Sequence, residues 1–138
     1  MTAAFLLCLR QNTSGDADIL LGQKHDGKVA DRGLTVPAGR MKKRDHNLLI
    51  NTAIRELKEE TGITVQPKQL KEFRINGGDY WFLAQLSDET PRSEPEVNRI
   101  GEPMWGPAKF YPLAELPKLP IARWQKKQLK KALAAIPV

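Results

Sequence analysis

The stretch Arg55-Glu56-Leu57-Lys58-Glu59-Glu60-Thr61-Gly62-Ile63 decides how the chain is read. It sets three carboxylates within five residues, after an arginine and before a glycine. Read as a helix, it puts Glu56, Glu59 and Glu60 at i, i+3 and i+4, on one face. Like charges this close destabilise a bare helix, and a divalent cation is the natural compensation, because hard cations take carboxylate oxygens. The apolar residues face elsewhere: Leu49, Ala53 and Leu57 recur every fourth position, and Ile50 and Ile54 widen the stripe. The pattern predicts a helix over residues 46–61, with Asp45 or Asn47 as N-cap and a left-handed Gly62 at its end. Arg55 stands one turn before Glu59 and can pair with it. Glutamate spacing alone also describes an ordinary solvated helix face. Just upstream, Pro37-Ala38-Gly39 predicts a tight turn at which backbone can approach a ligand.

The chain has 138 residues, enough for one domain with a proper core. Its 41% hydrophobic and 28% charged content is that of an ordinary globule. No apolar run reaches the roughly 18 residues of a membrane span. Residues 1–9 are apolar but have no basic leader, and they read as a strand rather than a signal peptide. One cysteine, Cys8, excludes an internal disulfide and fits a core position. A cytoplasmic protein is the expectation. The formal net charge of +6 favours anionic partners such as nucleotides, polyphosphates or RNA.

Along the chain, residues 3–10 and 19–22 predict a strand hairpin with its turn at 12–18. Residues 24–33 predict a loop and 34–36 a short strand. Beyond the helix, 70–75 and the aromatic-rich 80–86 predict strands, with a turn at Asn76-Gly77-Gly78-Asp79. Residues 87–95 predict a polar loop, and 97–107, rich in Gly and Pro, an irregular segment. A final helix is predicted over 121–136. Ile121, Trp124, Leu129, Ala132, Leu133 and Ile136 form its apolar side, Gln125 is a polar exception, and Lys126, Lys127, Lys130 and Lys131 lie opposite. Strands with two helices predict an α/β (α+β) fold, a mixed β-sheet flanked by helices, as one domain over 1–138.

The segment from Gly39 to Ile63 resembles the signature of the Nudix hydrolases. That signature is a glycine, a loop with an acidic residue, then Arg-Glu-apolar-x-Glu-Glu-x-Gly-apolar. Arg55, Glu56, Leu57, Glu59, Glu60, Gly62 and Ile63 match every specified position of the second half. Gly39 stands as the leading glycine and Asp45, a shorter carboxylate, as the loop acid. There are two departures. The distance from Gly39 to Arg55 is two residues longer than the pattern, with the insertion near His46-Asn47. The loop reads Arg40-Met41-Lys42-Lys43-Arg44, basic where the family is often acidic.

The resemblance implies an α/β/α sandwich and Mg²⁺-dependent hydrolysis of a phosphoanhydride in a nucleoside diphosphate-linked substrate, with Mn²⁺ as a substitute. A plain or modified nucleoside triphosphate, giving a monophosphate and pyrophosphate, is the first expectation. Dinucleoside polyphosphates, RNA 5′ ends and ADP-ribose-type compounds stay open, as does a non-catalytic nucleotide- or RNA-binding module. Glu59 and Glu60 are implied metal ligands, Glu56 a further ligand or the base, and Arg55 an orienting group. The main-chain carbonyl of Ala38 or Gly39 is a possible extra ligand. A later carboxylate is also implied, Glu102 ahead of Glu96 and Glu94. Lys42 and Arg44, with Lys43, are candidates for phosphate contacts. Tyr80 and Trp105 are candidates for base stacking, Trp105 because it falls in the Gly/Pro-rich segment. Trp81 and Phe110 read as core. A monomer or a homodimer is equally compatible.

Overall fold

The computed structural model describes residues 2–25, 32–75 and 78–136. Among the described residues eight strands make one sheet: β1 (Ala3–Gln11), β2 (Ala17–Lys24), β3 (Gly33–Thr35), β4 (Ala38–Arg40), β5 (Leu70–Arg74), β6 (Tyr80–Leu86), β7 (Glu96–Val97) and β8 (Pro103–Pro112). Two α-helices are described with them, α1 (Leu49–Thr61) and α2 (Arg123–Ala134). The sheet runs β5-β6-β1-β2-β8-β7, and among these described strands β1 and β6 are the pair that runs in parallel. It is therefore a mixed sheet.

Alternation along the strands makes two cores. Ala4, Leu6 and Cys8 of β1, Leu20 of β2 and Phe82 and Ala84 of β6 pack with Ala53 and Leu57 of α1. Leu7, Leu9, Ile19, Leu21, Trp81 and Leu83 pack with Leu129 and Ala132 of α2. Successive side chains point to opposite faces, so a central strand buried on both sides is apolar throughout. The result is a helix–sheet–helix sandwich, as expected.

The functional end of the sheet is a wedge. β1 and β2 pair only where Leu9, Arg10 and Gln11 meet Ile19, Asp18 and Ala17. Beyond that they diverge, and the chain from 33 to 40 fills the gap. β3 pairs with Gly22–Lys24 of β2, and β4 with Ala3–Phe5 of β1. The tight turn expected at Pro37-Ala38-Gly39 is thus replaced by a strand pairing. Glycine is needed there for close packing rather than for bending.

Three further expectations are corrected. The segment 97–107 is not irregular, because β8 begins at Pro103. Its Gly106-Pro107 signal marks a bulge: between the pairs Gly22–Ala108 and Lys24–Trp105, the single residue Gln23 of β2 stands opposite both Gly106 and Pro107 of β8. The first helix starts at Leu49 rather than near 46. A 3-10 turn, Lys43–Asp45, precedes it, and His46 and Asn47 take left-handed φ values of 55° and 60°. These two residues absorb the extra length of the loop. In α2 Trp124, expected on the apolar side, is 40% exposed, while Gln125, the polar exception on that side, is fully buried. The reason is polar, since Gln125 Oε1 accepts the buried Val36 N–H at 2.7 Å. The loop at 26–31 and the Asn76-Gly77 pair of the expected turn lie outside the described residues.

Candidate active site

The site is built on an ion pair rather than on a helix cap. Leu48 occupies the N-cap position of α1 and makes no side-chain cap. Asp45, expected as a cap, instead turns its carboxylate under the helix. It accepts the Lys42 N–H at 2.8 Å, the Thr52 hydroxyl at 2.8 Å, Arg55 Nε at 2.8 Å and Arg55 Nη2 at 2.9 Å. The two arginine bonds form a fork on the carboxylate, the geometry in which arginine is strongest. Asp45 is 2% exposed. Arg55 holds its carboxyl well below the usual carboxylate range, and the pairing raises the guanidinium further. The rest of Arg55 is also occupied. Nη1 donates to Glu56 Oε1 at 2.7 Å and reaches Glu59 Oε2 at 3.3 Å, and Nη2 donates to the Arg40 carbonyl at 2.9 Å.

The three glutamates differ in their surroundings. Glu56 is buried against β4, and a Cβ placed on Gly39 would fall on its carboxyl carbon. Glu60 is buried as well and accepts the Ala38 N–H at 2.9 Å. Burial pushes Glu60 well above the ordinary glutamate range, and Glu56, Glu96 and Glu59 push it further, against the Ala38 hydrogen bond. Glu56 is also raised, chiefly by burial, with Arg55 opposing. Glu59 stands at the rim, where Arg44 Nη2 donates to its Oε1 at 2.9 Å.

Of the later carboxylates, Glu96 on β7 is the one whose charge acts on Glu56 and Glu60. Glu102 is exposed and folds into its own turn, accepting Asn98 Nδ2 at 3.1 Å. The signal for Glu96 was the strand character of β8, since Glu96 pairs with Trp105 in the ladder. Arg92 was not anticipated. Its N–H donates to the Thr61 carbonyl at 2.8 Å and its Nη2 to the Glu59 carbonyl, so it binds the last turn of α1.

The donors gathered here are carboxylate oxygens, the chemistry a hard divalent cation takes. Two raised, buried glutamates are the electrostatic counterpart of a cation. Among the described residues, however, no three His, Cys, Asp or Glu side chains form a ready-made cation site. In this arrangement Arg55 takes up Glu56, and both Arg55 and Arg44 take up Glu59.

The aromatic candidates separate. Gly39 and Tyr80 flank Ala4 in one row across the sheet, with Arg74 next beyond Tyr80. At about 5 Å per strand, Tyr80 stands roughly 10 Å from Gly39, on the α1 side. It is half-buried, and the Arg74 guanidinium lies 4.4 Å from its ring centroid. Trp105 lies in β8 rather than in a loop and is 5% exposed. Its Nε1 donates to Thr35 Oγ1 at 2.7 Å, and its ring occupies the space that a side chain on Gly22 would need. Trp81 is fully buried in the core, as expected, stacked on Phe5 at 5.1 Å. Lys42 and Lys43 are exposed on the turn before α1.

A family model described as the NUDIX domain matches residues 1–132. No curated protein matches the chain. Among solved structures, the NUDIX domain of Shewanella oneidensis NrtR, complexed with ADP ribose, superposes with a TM-score of 0.74 at 15% identity, covering 97% of this chain and 86% of that one. The T. brucei MERS1 protein in its RNA complex gives 0.68 at 15% identity, covering 91% of this chain and 54% of MERS1. A MutT structure, from work on Aliivibrio salmonicida and Vibrio cholerae, gives 0.63 at 17% identity and 96% coverage of both chains. At these identities the likeness is one of fold.

Proposed function

The chain belongs to the Nudix family, and from that premise we propose that it hydrolyses a phosphoanhydride bond in a nucleoside diphosphate-linked substrate, with Mg²⁺ held by Glu56, Glu59 and Glu60. The observation that carries this reading is the surplus of negative charge on α1. Glu60 is buried beside Glu56 and Glu96, and the hydrogen bond it has is to a neutral N–H. A domain that only bound a ligand would have no need to retain so unfavourable a cluster. When bound, such a cation polarises phosphate oxygens and makes a water nucleophilic at neutral pH. The chain's own residues do the positioning. Arg55, fixed on Asp45, orients Glu56 and Glu59; Ala38 N–H orients Glu60; and the close approach of Gly39 sets the depth of Glu56. Glu56 serves as a further ligand or as the base, and its seat against Gly39 with the hydrogen bond from Arg55 fixes its carboxylate for either role.

For the substrate, we favour a nucleoside triphosphate cleaved to monophosphate and pyrophosphate. Arg44 brings positive charge to the rim at Glu59, and Lys42 and Lys43 stand exposed on the same turn, where a polyphosphate chain could meet them. Tyr80 lies at a distance suited to a base whose phosphates reach α1. A panel of nucleoside triphosphates, dinucleoside polyphosphates, ADP-ribose and 5′-triphosphorylated RNA, assayed with Mg²⁺ or Mn²⁺, tests the proposal. Turnover of the triphosphates, abolished in Glu60→Gln, is the expected result. Binding without release of phosphate or pyrophosphate from any of them would favour a non-catalytic module instead.

A further inference from the structure

The two arginines that hold the glutamates are not equivalent. Arg55 is enclosed, and its side chain is 12% exposed. Its Nε, Nη1 and Nη2 are all engaged, with Asp45, Glu56, Glu59 and the Arg40 carbonyl as acceptors. Arg44 is 61% exposed and, among the described residues, makes one ion pair, to Glu59, which is itself 34% exposed. Yet the backbone carrying Arg44 is fixed. It lies in the Lys43–Asp45 turn, one residue from the buried Asp45 anchor. A fixed base with a long, solvated side chain is an arm that swings at little energetic expense, because an exposed pair is weak. It ends on the one glutamate of the three that is half-open to solvent.

We propose that Arg44 is an exchangeable counter-ion: it neutralises Glu59 while no divalent cation is bound, and passes to the substrate's phosphates when the cation takes Glu59. This rests on the Mg²⁺-dependent reading of the site. It makes Arg44 a competitor of the metal in the absence of substrate and a ligand of the substrate in its presence. Removing it therefore moves the two affinities in opposite directions, which neither a purely structural nor a purely phosphate-binding residue would do.

The test is calorimetric titration of Mn²⁺ alone, and then of an α,β-methylene nucleoside triphosphate in the presence of Mn²⁺. Arg44→Ala is expected to bind Mn²⁺ about two- to fivefold more tightly, the size of an exposed ion pair. The same variant is expected to bind the nucleotide analogue roughly tenfold more weakly, the size of a charge-assisted hydrogen bond. Arg44→Lys, which keeps the charge without the planar fork, is expected to fall between. Lys43→Ala removes the same charge from the neighbouring position and reports the general field. Its Mn²⁺ affinity is expected to stay near that of the unaltered chain. If Lys43→Ala tightens Mn²⁺ as much as Arg44→Ala does, the exchange is refuted in favour of diffuse electrostatics. Equal-direction changes, or none, in Arg44→Ala overturn it as well. If the unaltered protein binds neither Mn²⁺ nor the analogue, the functional reading fails first, and that outcome is distinct from a failure of the Arg44 arm.

Discussion

Replacing Asp45 by alanine attacks the anchor on which the whole site stands. The carboxylate receives four donors at 2.8–2.9 Å, two of them from Arg55. Without it, the hydroxyl of Thr52, fully buried, loses its acceptor, and Arg55 is left enclosed with half its fork unpaired. Breaking a buried pair by removing one partner costs about 3–5 kcal/mol. Glu56 and Glu59 remain as counter-charges for Arg55, so the lower end, about 3 kcal/mol, is expected here. For a domain of this size that corresponds to a fall in melting temperature of roughly 10 °C. Urea unfolding monitored by far-UV circular dichroism gives the free energy, and a thermal melt gives the temperature. Asp45→Asn, which keeps the shape and one acceptor but loses the charge, should fall between. The pair also sets a pH signature. A carboxyl held below its ordinary range stabilises the fold at pH values above the ordinary carboxylate pKa of about 3.9, and that stability is lost as pH falls below it. Asp45→Asn should therefore flatten the acid limb of the stability curve. A melting temperature within 2 °C of the unaltered protein for Asp45→Ala would refute the reasoning, because the cluster would then be held by something other than this pair.

Gly39→Ala should lower turnover about 100-fold or more while costing about 1–3 kcal/mol of stability, since the new methyl group occupies the position of the Glu56 carboxyl; steady-state kinetics beside a melt separate the two effects. Glu60 has the sign opposite to Asp45. Its raised pKa means that the proton it holds stabilises the cation-free fold below the ordinary glutamate range, and that contribution is lost as pH rises through the raised value. Cation-free protein should lose stability as pH rises above the ordinary glutamate range, Glu60→Gln should lose less, and Mg²⁺ at the high-pH end should raise the melting temperature only of the unaltered chain; an unchanged pH slope in the variant would count against the burial argument. Gln125→Leu should destabilise by about 1–3 kcal/mol, because it leaves the Val36 N–H buried without an acceptor; a stability equal to that of the unaltered protein would show that the bond contributes nothing.

What the residues revealed in advance follows a physical line. The α1 stripe of Leu49, Ala53 and Leu57 and the double-sided apolar strands were legible because periodicity is local. The glutamate face was legible for the same reason. The purpose of Asp45 was not, since choosing between a cap and a buried counter-ion depends on where Arg55, ten residues on, points its fork. The bulge at Gly106-Pro107 looked like a loop because the same residues break a ladder and punctuate it. That misreading carried Trp105 out to the surface, when its indole is tied to Thr35. Gln125 was legible only as a polar exception on the apolar side of a helix. Its acceptor role depends on Val36, 89 residues earlier in the chain, and no helical wheel contains that partner. Arg92 left no local trace at all.

The filler of the wedge has a mechanical consequence. Val36, Pro37 and Ala38 offer their amides in alternation: that of Val36 is held by Gln125 from the α2 layer, proline has none, and that of Ala38 is held by Glu60 from the α1 layer. The sheet keeps the two outer helices apart, yet both grip the same three residues from opposite sides, like two hands on one short rope. Slackening the C-terminal helix should therefore be felt at Glu60 through a span of two peptide units, without any rearrangement of the core between them.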